Sequence, residues 1–204
     1  MSVKGTVLLL EDNLKILDIN RRMLENEGVT VLTAENIAQA RELIRSSRPD
    51  VAVLDIILPD GSGIDFNAEI QTLCETSRAP VYALFLTAKA EREDILAGLS
   101  AGGNDYITKP YDIDEFRMRV LGFLRLAEKA RNRETDKSRR LSSVLTEKEM
   151  TVAALAAKGL YNKEIADKVF LSVSRVKTCL SGIYRKLGIS ENNNKREILA
   201  QIIK

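Results

Sequence analysis

The 204 residues contain no histidine. Without an imidazole, Ser-His-Asp catalysis, most zinc sites and phosphohistidine chemistry within the chain are excluded. Cysteine is nearly absent as well: the two present, Cys74 and Cys179, lie far apart. They suit a reducing compartment and form no disulfide framework. No stretch approaches the roughly 20 apolar residues that a bilayer span requires, and the apolar run in MSVKGTVLLLEDN is too short for a signal peptide. The expected location is the cytoplasm.

Charge is plentiful but unevenly placed. Residues 1–120 carry 13 Lys+Arg against 20 Asp+Glu, net −7, whereas residues 121–204 carry 18 against 9, net +9. An acidic half followed by a basic half implies two domains with different partners, the basic one suited to a polyanion such as nucleic acid. The expected boundaries are a first domain over 1–126, a charged helical extension or linker over 127–140, and a second domain over 141–204. The joining segment EKARNRETDKSRR is almost without apolar residues, and its composition does not choose between helix and linker.

In the first domain, apolar strand-like runs alternate with segments of helical periodicity. The predicted strands are 7–10, 29–33, 51–54, 81–86 and 105–108, and the predicted helices are 14–26, 37–46, 64–73, 91–101 and 112–126. Asp112 with Glu115 three residues later forms a capping-box-like start to the last helix. Near-continuous apolar strands alternating with helices indicate an α/β doubly wound parallel sheet, whose ligand site lies at the carboxyl ends of the strands. That is where Glu11, Asp12, Asp55, Thr87 and Lys109 fall. Taken singly, these are ordinary loop residues. Together and in this order they supply carboxylates, a hydroxyl and an ammonium for one phosphoryl-transfer site.

The pieces LLLEDN, LDIILPDGSGID, LFLTA and AGGNDYITKPYD resemble those of response-regulator receiver domains over residues 3–126. The resemblance implies a flavodoxin-like five-stranded sheet, with Asp55 as phosphoacceptor forming a mixed anhydride. It also implies Mg2+ held by Glu11, Asp12, Asp55 and the backbone carbonyl of Ile57, with Thr87 and Lys109 touching the phosphoryl oxygens. Tyr106, three residues before Lys109, matches the aromatic that changes rotamer in such receivers. There the change alters the face of the fourth helix, fifth strand and fifth helix.

In the second domain, Thr146 and Glu149 form a capping box opening a helix to Lys158, and Asn162 is the expected cap of a short helix, 163–168. A third helix, 172–187, has Val176, Leu180, Ile183 and Leu187 on its core face. Its opposite side presents Ser174, Thr178, Ser181 and Arg185, flanked by Lys177, with no acid. A helix entering a negatively charged groove needs that character. NKEIA, LS, VK and IYRKLGI, within about residues 145–189, resemble the helix-turn-helix of LuxR/NarL-class regulators, although Cys179 stands where that class often has histidine. The resemblance turns Lys177, Thr178 and Ser181 toward base edges and makes Arg175, Arg185 and Lys186 phosphate contacts. It also makes the final helix, with Ile198, Leu199, Ile202 and Ile203, a pairing surface between two copies on DNA, the alternative being an entirely intramolecular role.

The reading is a two-component response regulator and not an enzyme: the phosphohistidine of a sensor histidine kinase donates to Asp55, and the modified receiver permits dimeric binding to double-stranded DNA and control of transcription. RNA polymerase is a further expected contact. The unmodified receiver is expected to cover the recognition helix. Two alternatives stand beside this reading. One is a phosphorylation-independent DNA-binding regulator with a structural receiver. The other is a Mg2+-dependent aspartyl-phosphate phosphatase, which commonly needs a second Asp where this chain has Ile57.

Overall fold

The computed structural model describes residues 4–74, 80–88, 102–190 and 194–203. Two compact units divide the chain, residues 1–134 and 135–204. In the first, strands β1 (Thr6–Leu10), β2 (Thr30–Ala34), β3 (Val51–Asp55), β6 (Tyr82–Thr87) and β7 (Asp105–Thr108) form one sheet in the order β2-β1-β3-β6-β7. Every neighbouring pair is parallel, as the apolar strands required. A two-residue hairpin, β4 (Ile57–Leu58) with β5 (Gly61–Ser62), comes directly after β3. It was not anticipated, because strands this short leave no periodic signal.

Among the described residues its helices are α1 (Leu14–Asn26), α2 (Ile37–Ser46), α3 (Gly63–Cys74) and α4 (Ile113–Val144). Their placement reflects the two-residue repeat of the strands. On β1, Val7 and Leu9 point into a core with Leu17 and Leu24 of α1 and Phe116, Val120 and Leu124 of α4. Leu8 and Leu10 point the other way, against Ile37 and Ala40 of α2 and Phe66 and Ile70 of α3. The helix expected over 91–101 lies outside the described residues.

Asp112 opens α4 by accepting the N–H groups of Asp114 (2.8 Å) and Glu115 (3.0 Å) through Oδ1. Glu115 does not complete the box, because its carboxylate is taken by Arg119. The helix continues without a break through residues 127–140, and its 32 residues span about 48 Å. Within the first unit, Arg131 donates to the buried carboxylate of Asp50, whose other oxygen accepts Thr6 N–H at 2.9 Å.

The second unit is helical: the end of α4, then α5 (Glu147–Ala157), α6 (Asn162–Val169), α7 (Val173–Lys186) and α8 (Lys195–Ile203). Leu141, Val152, Ile165, Val176, Leu180, Ile183 and Leu199 share its core. The capping box forms: Thr146 Oγ1 accepts Glu149 N–H, and Glu149 accepts Thr146 N–H at 2.9 Å. Asn162, by contrast, does not cap α6. Tyr161 holds that position with its N–H on Glu164 (2.7 Å), and Asn162 Oδ1 instead accepts from the Arg196 guanidinium at 2.6 Å. A charged donor from α8 outcompetes a local backbone amide.

Candidate functional site

Sheet pairing continues one residue past two of the strands, and this builds the site. Glu11 N–H bonds Ala34 O at 3.1 Å, drawing Glu11 in after β1 until it is 2% exposed. Asn13 then caps α1 by accepting the N–H groups of Lys15 and Ile16, so the chain turns sharply and leaves Asp12 exposed. Asp55, the last residue of β3, is buried, with Oδ1 accepting Ile57 N–H at 3.0 Å. Lys109 N–H bonds Thr87 O at 2.7 Å beyond the last β6–β7 pair. That bond sets Lys109 beside Thr87, which is fully buried.

The result is a cation between two acids. Lys109 Nζ lies 2.6 Å from Glu11 Oε2 and 2.6 Å from Asp55 Oδ2. Carboxylate oxygens of Glu11, Asp12 and Asp55 all fall within 4.8 Å of one another. Burial pushes the Glu11 carboxyl above its ordinary range, and the bond from Lys109 recovers only part of that while Asp55 adds repulsion. Burial also opposes the charge on Lys109, but Asp55 and Glu11 together outweigh it and raise the ammonium. The two directions agree physically: the lysine faces two anions, whereas Glu11 shares one cation with a competing anion. A set of hard carboxylate oxygens crowded at one point, under-neutralised by one lysine, fits a small divalent cation.

Two residues that bear on this site escaped the sequence reading. Gly63 opens α3 so close to Asp55 that a Cβ there would stand 2.0 Å from the Asp55 carbonyl oxygen. Asp60, in the β4–β5 turn, accepts the N–H groups of Ile37 (2.9 Å) and Ala38 (3.0 Å) at the start of α2. Those amide bonds hold its carboxyl below the ordinary range. The glycine was visible in PDGSG, but its crowding is a through-space fact. Tyr106 is half-buried on β7 against the α2–α3 side core, and Ile57 is exposed.

In the second unit, Ser174, Arg175, Lys177, Thr178, Ser181, Arg185 and Lys186 are all exposed along α7, opposite buried Val176, Leu180 and Ile183. Thr178 donates its hydroxyl to Ser174 O at 3.1 Å. Lys186 is engaged by Glu149, with Nζ 2.8 and 2.7 Å from the two carboxylate oxygens. In α8, Leu199 and Ile203 are 0% and 5% exposed within the domain's own core. They are therefore committed intramolecularly and are removed from the expected pairing surface. Ile198 and Ile202 remain half-buried.

The family described as response regulator receiver domain matches residues 7–121, and that described as bacterial regulatory proteins, luxR family, matches residues 143–198. The chain belongs to the response regulators. This response regulator is 32% identical over 182 residues to the DNA-binding transcriptional activator DevR/DosR of Mycobacterium tuberculosis, covering 84% of this chain and 81% of that one. It is 42% identical over 120 residues to the probable transcriptional regulatory protein TcrX of the same organism. That match covers 59% of this chain and 50% of TcrX, so the chain spans about half the length of that relative. Among solved structures, response regulator StyR covers 97% of both chains with a TM-score of 0.57 at 25% identity. Among the described residues, no helix is long and apolar enough to cross a membrane.

Proposed function

We propose that this response regulator is a phosphorylation-controlled transcription regulator acting in the cytoplasm, with Asp55 as the phosphoacceptor and double-stranded DNA as the ligand of α7. The observation that carries the reading is the Asp55 carboxylate itself: buried at a strand end, with one oxygen on the Ile57 amide and the other on Lys109.

In the proposed transfer, an Asp55 oxygen attacks the phosphorus of a phosphohistidine on a sensor kinase. The new O–P bond forms as the donor N–P bond breaks, and the imidazole leaves with the bonding pair. Lys109 neutralises a phosphoryl oxygen after exchanging its Asp55 contact, and the Thr87 hydroxyl donates to another. Glu11, Asp12 and Asp55, with the Ile57 carbonyl, would hold Mg2+, which supplies positive charge against the phosphoryl oxygens when bound. The added charge of about −1.5 to −2 is local, so its remote effect needs a two-state element, a role assigned to Tyr106. On DNA, two copies pair through Ile198 and Ile202, Lys177, Thr178 and Ser181 face base edges, and Arg175 and Arg185 contact phosphates.

The test is direct. Purified chain given Mg2+ and acetyl phosphate gains about 80 Da, roughly one phosphoryl group, on the peptide containing Asp55, and its DNA affinity rises. Asp55→Ala abolishes both responses. An affinity response that survives the substitution, or no adduct on the wild type, overturns the reading.

A further inference from the structure

Phe170 is left almost entirely in solvent, 93% exposed, the highest value among the described large hydrophobic residues. It is also the one described non-glycine residue in the left-handed region, with φ 54° and ψ 45°. Glycine holds that conformation without steric cost, and an aromatic L-residue does not. The ring does not account for its own position. The helix end is completed by backbone bonds alone, with the N–H groups of Phe170 and Leu171 both reaching Ala166 O. The neighbours on either side, Val169 and Leu171, are the residues that pack on the core.

Three residues beyond Phe170 the chain enters α7. Ser172 caps that helix, its Oγ accepting Arg175 N–H, and Val173 at the first helical position is 38% exposed. An exposed apolar pair thus brackets the cap of a helix whose remaining exposed face is polar or cationic. In helix-turn-helix proteins the amino-terminal residues of this helix reach the base edges. The apolar feature a major groove offers there is the C5-methyl of thymine, which Phe and other apolar groups contact.

We propose that Phe170 and Val173 form an apolar reading element at the amino-terminal end of α7 and contact thymine C5-methyl groups in the bound DNA. The inference rests on the DNA-binding reading above and extends its polar base contacts to apolar ones. The backbone cost at Phe170 is then kept for binding, not folding.

The test uses the full chain and a duplex recovered from a random-core library by selection on the wild type. Phe170→Gly is expected to melt no lower than wild type, because glycine relaxes the left-handed residue, yet to bind that duplex at least fivefold more weakly. Its slope of log Kd against log salt is expected to stay unchanged, since no phosphate contact is lost. Replacing thymines by uracil one at a time should weaken wild type at one or two positions and leave Phe170→Gly indifferent at the one its ring covers. Val173→Ala, which keeps the turn intact, should lose a smaller part of the same discrimination. Equal affinity of Phe170→Gly and wild type, or uracil losses of the same size in both, overturns the proposal and leaves the DNA reading standing. Failure of the wild type to recover any duplex overturns both.

Discussion

One methyl group placed at Gly63 should disturb both stability and phosphorylation, for a reason that can be worked from distances. A Cβ there lies 2.0 Å from the Asp55 carbonyl oxygen and 3.0 Å from its carbonyl carbon, so the two backbones must part by about 1 Å or more to reach even a tight contact. Neither side is a flexible side chain that can swing away. Parting them breaks the 3.0 Å bond from Gly63 N–H to Ile56 O. That loss is worth about 1 kcal/mol, and overpacking adds about 1–3, so Gly63→Ala should cost about 2–4 kcal/mol. The same motion shifts Asp55 relative to Lys109, and a misplacement of about 1 Å at a reacting group can cost about 100-fold in rate. Gly122→Ala is the matched control. It adds the same methyl inside α4, where nothing lies within 4 Å, and should stabilise by about 0.5–1 kcal/mol. Hydrogen exchange of β1 and β3 peptides reads the stability of the first unit apart from the second, and acetyl phosphate labelling reads the site. If Gly63→Ala leaves both strands within about 0.5 kcal/mol of wild type, the close approach is not what requires glycine.

Lys109→Ala should destabilise the first unit near neutral pH by about 3–5 kcal/mol, because it strands two buried carboxylates without their cation. Since burial raises Glu11, stability tied to its neutral form is fully present below the ordinary value of 4.5 and is lost as pH rises through the higher folded value. The Lys109→Ala deficit should therefore shrink on acidification, and a deficit constant from about pH 4 to 7 would contradict the arrangement. Glu149 is lowered from 4.5 to about 2 by Lys186 and the Thr146 cap. Its contribution to the second unit is present above 4.5 and lost as pH falls toward 2. A carboxyl NMR titration should show that low midpoint, and Lys186→Ala should return it toward 4.5. Arg131→Ala removes the guanidinium from buried Asp50. With the arginine side chain 40% exposed and solvent screening part of the pair, the loss should be about 1–2 kcal/mol, seen as faster exchange in the 127–134 part of α4.

Periodicity was enough to place the elements to within a residue or two at most ends, because it records which side of each element meets a core. Leu14–Asn26, Ile37–Ser46 and Asp105–Thr108 have the bounds read from sequence. The hairpin at Ile57–Ser62 and the unbroken α4 were not readable, the first being too short for any period and the second having a polar surface that suits a helix and a linker alike. The order of β1, β3, β6 and β7 was enough to send Glu11, Asp55, Thr87 and Lys109 to one sheet edge.

Composition and local pattern by themselves determined the two-part organisation, the alternating α/β unit and the kinds of chemistry available, since these depend on residue type and near-neighbour spacing. Only the tertiary structure decided how the charges meet. Lys109 reaches Glu11 and Asp55 across sequence separations of 98 and 54 residues. It likewise assigned Leu199 and Ile203 to their own core, drew Asn162 to Arg196 instead of a helix end, and left Phe170 outside. Each outcome is a competition among groups remote in the chain, and which partner wins depends on distances that exist only after the segments have packed.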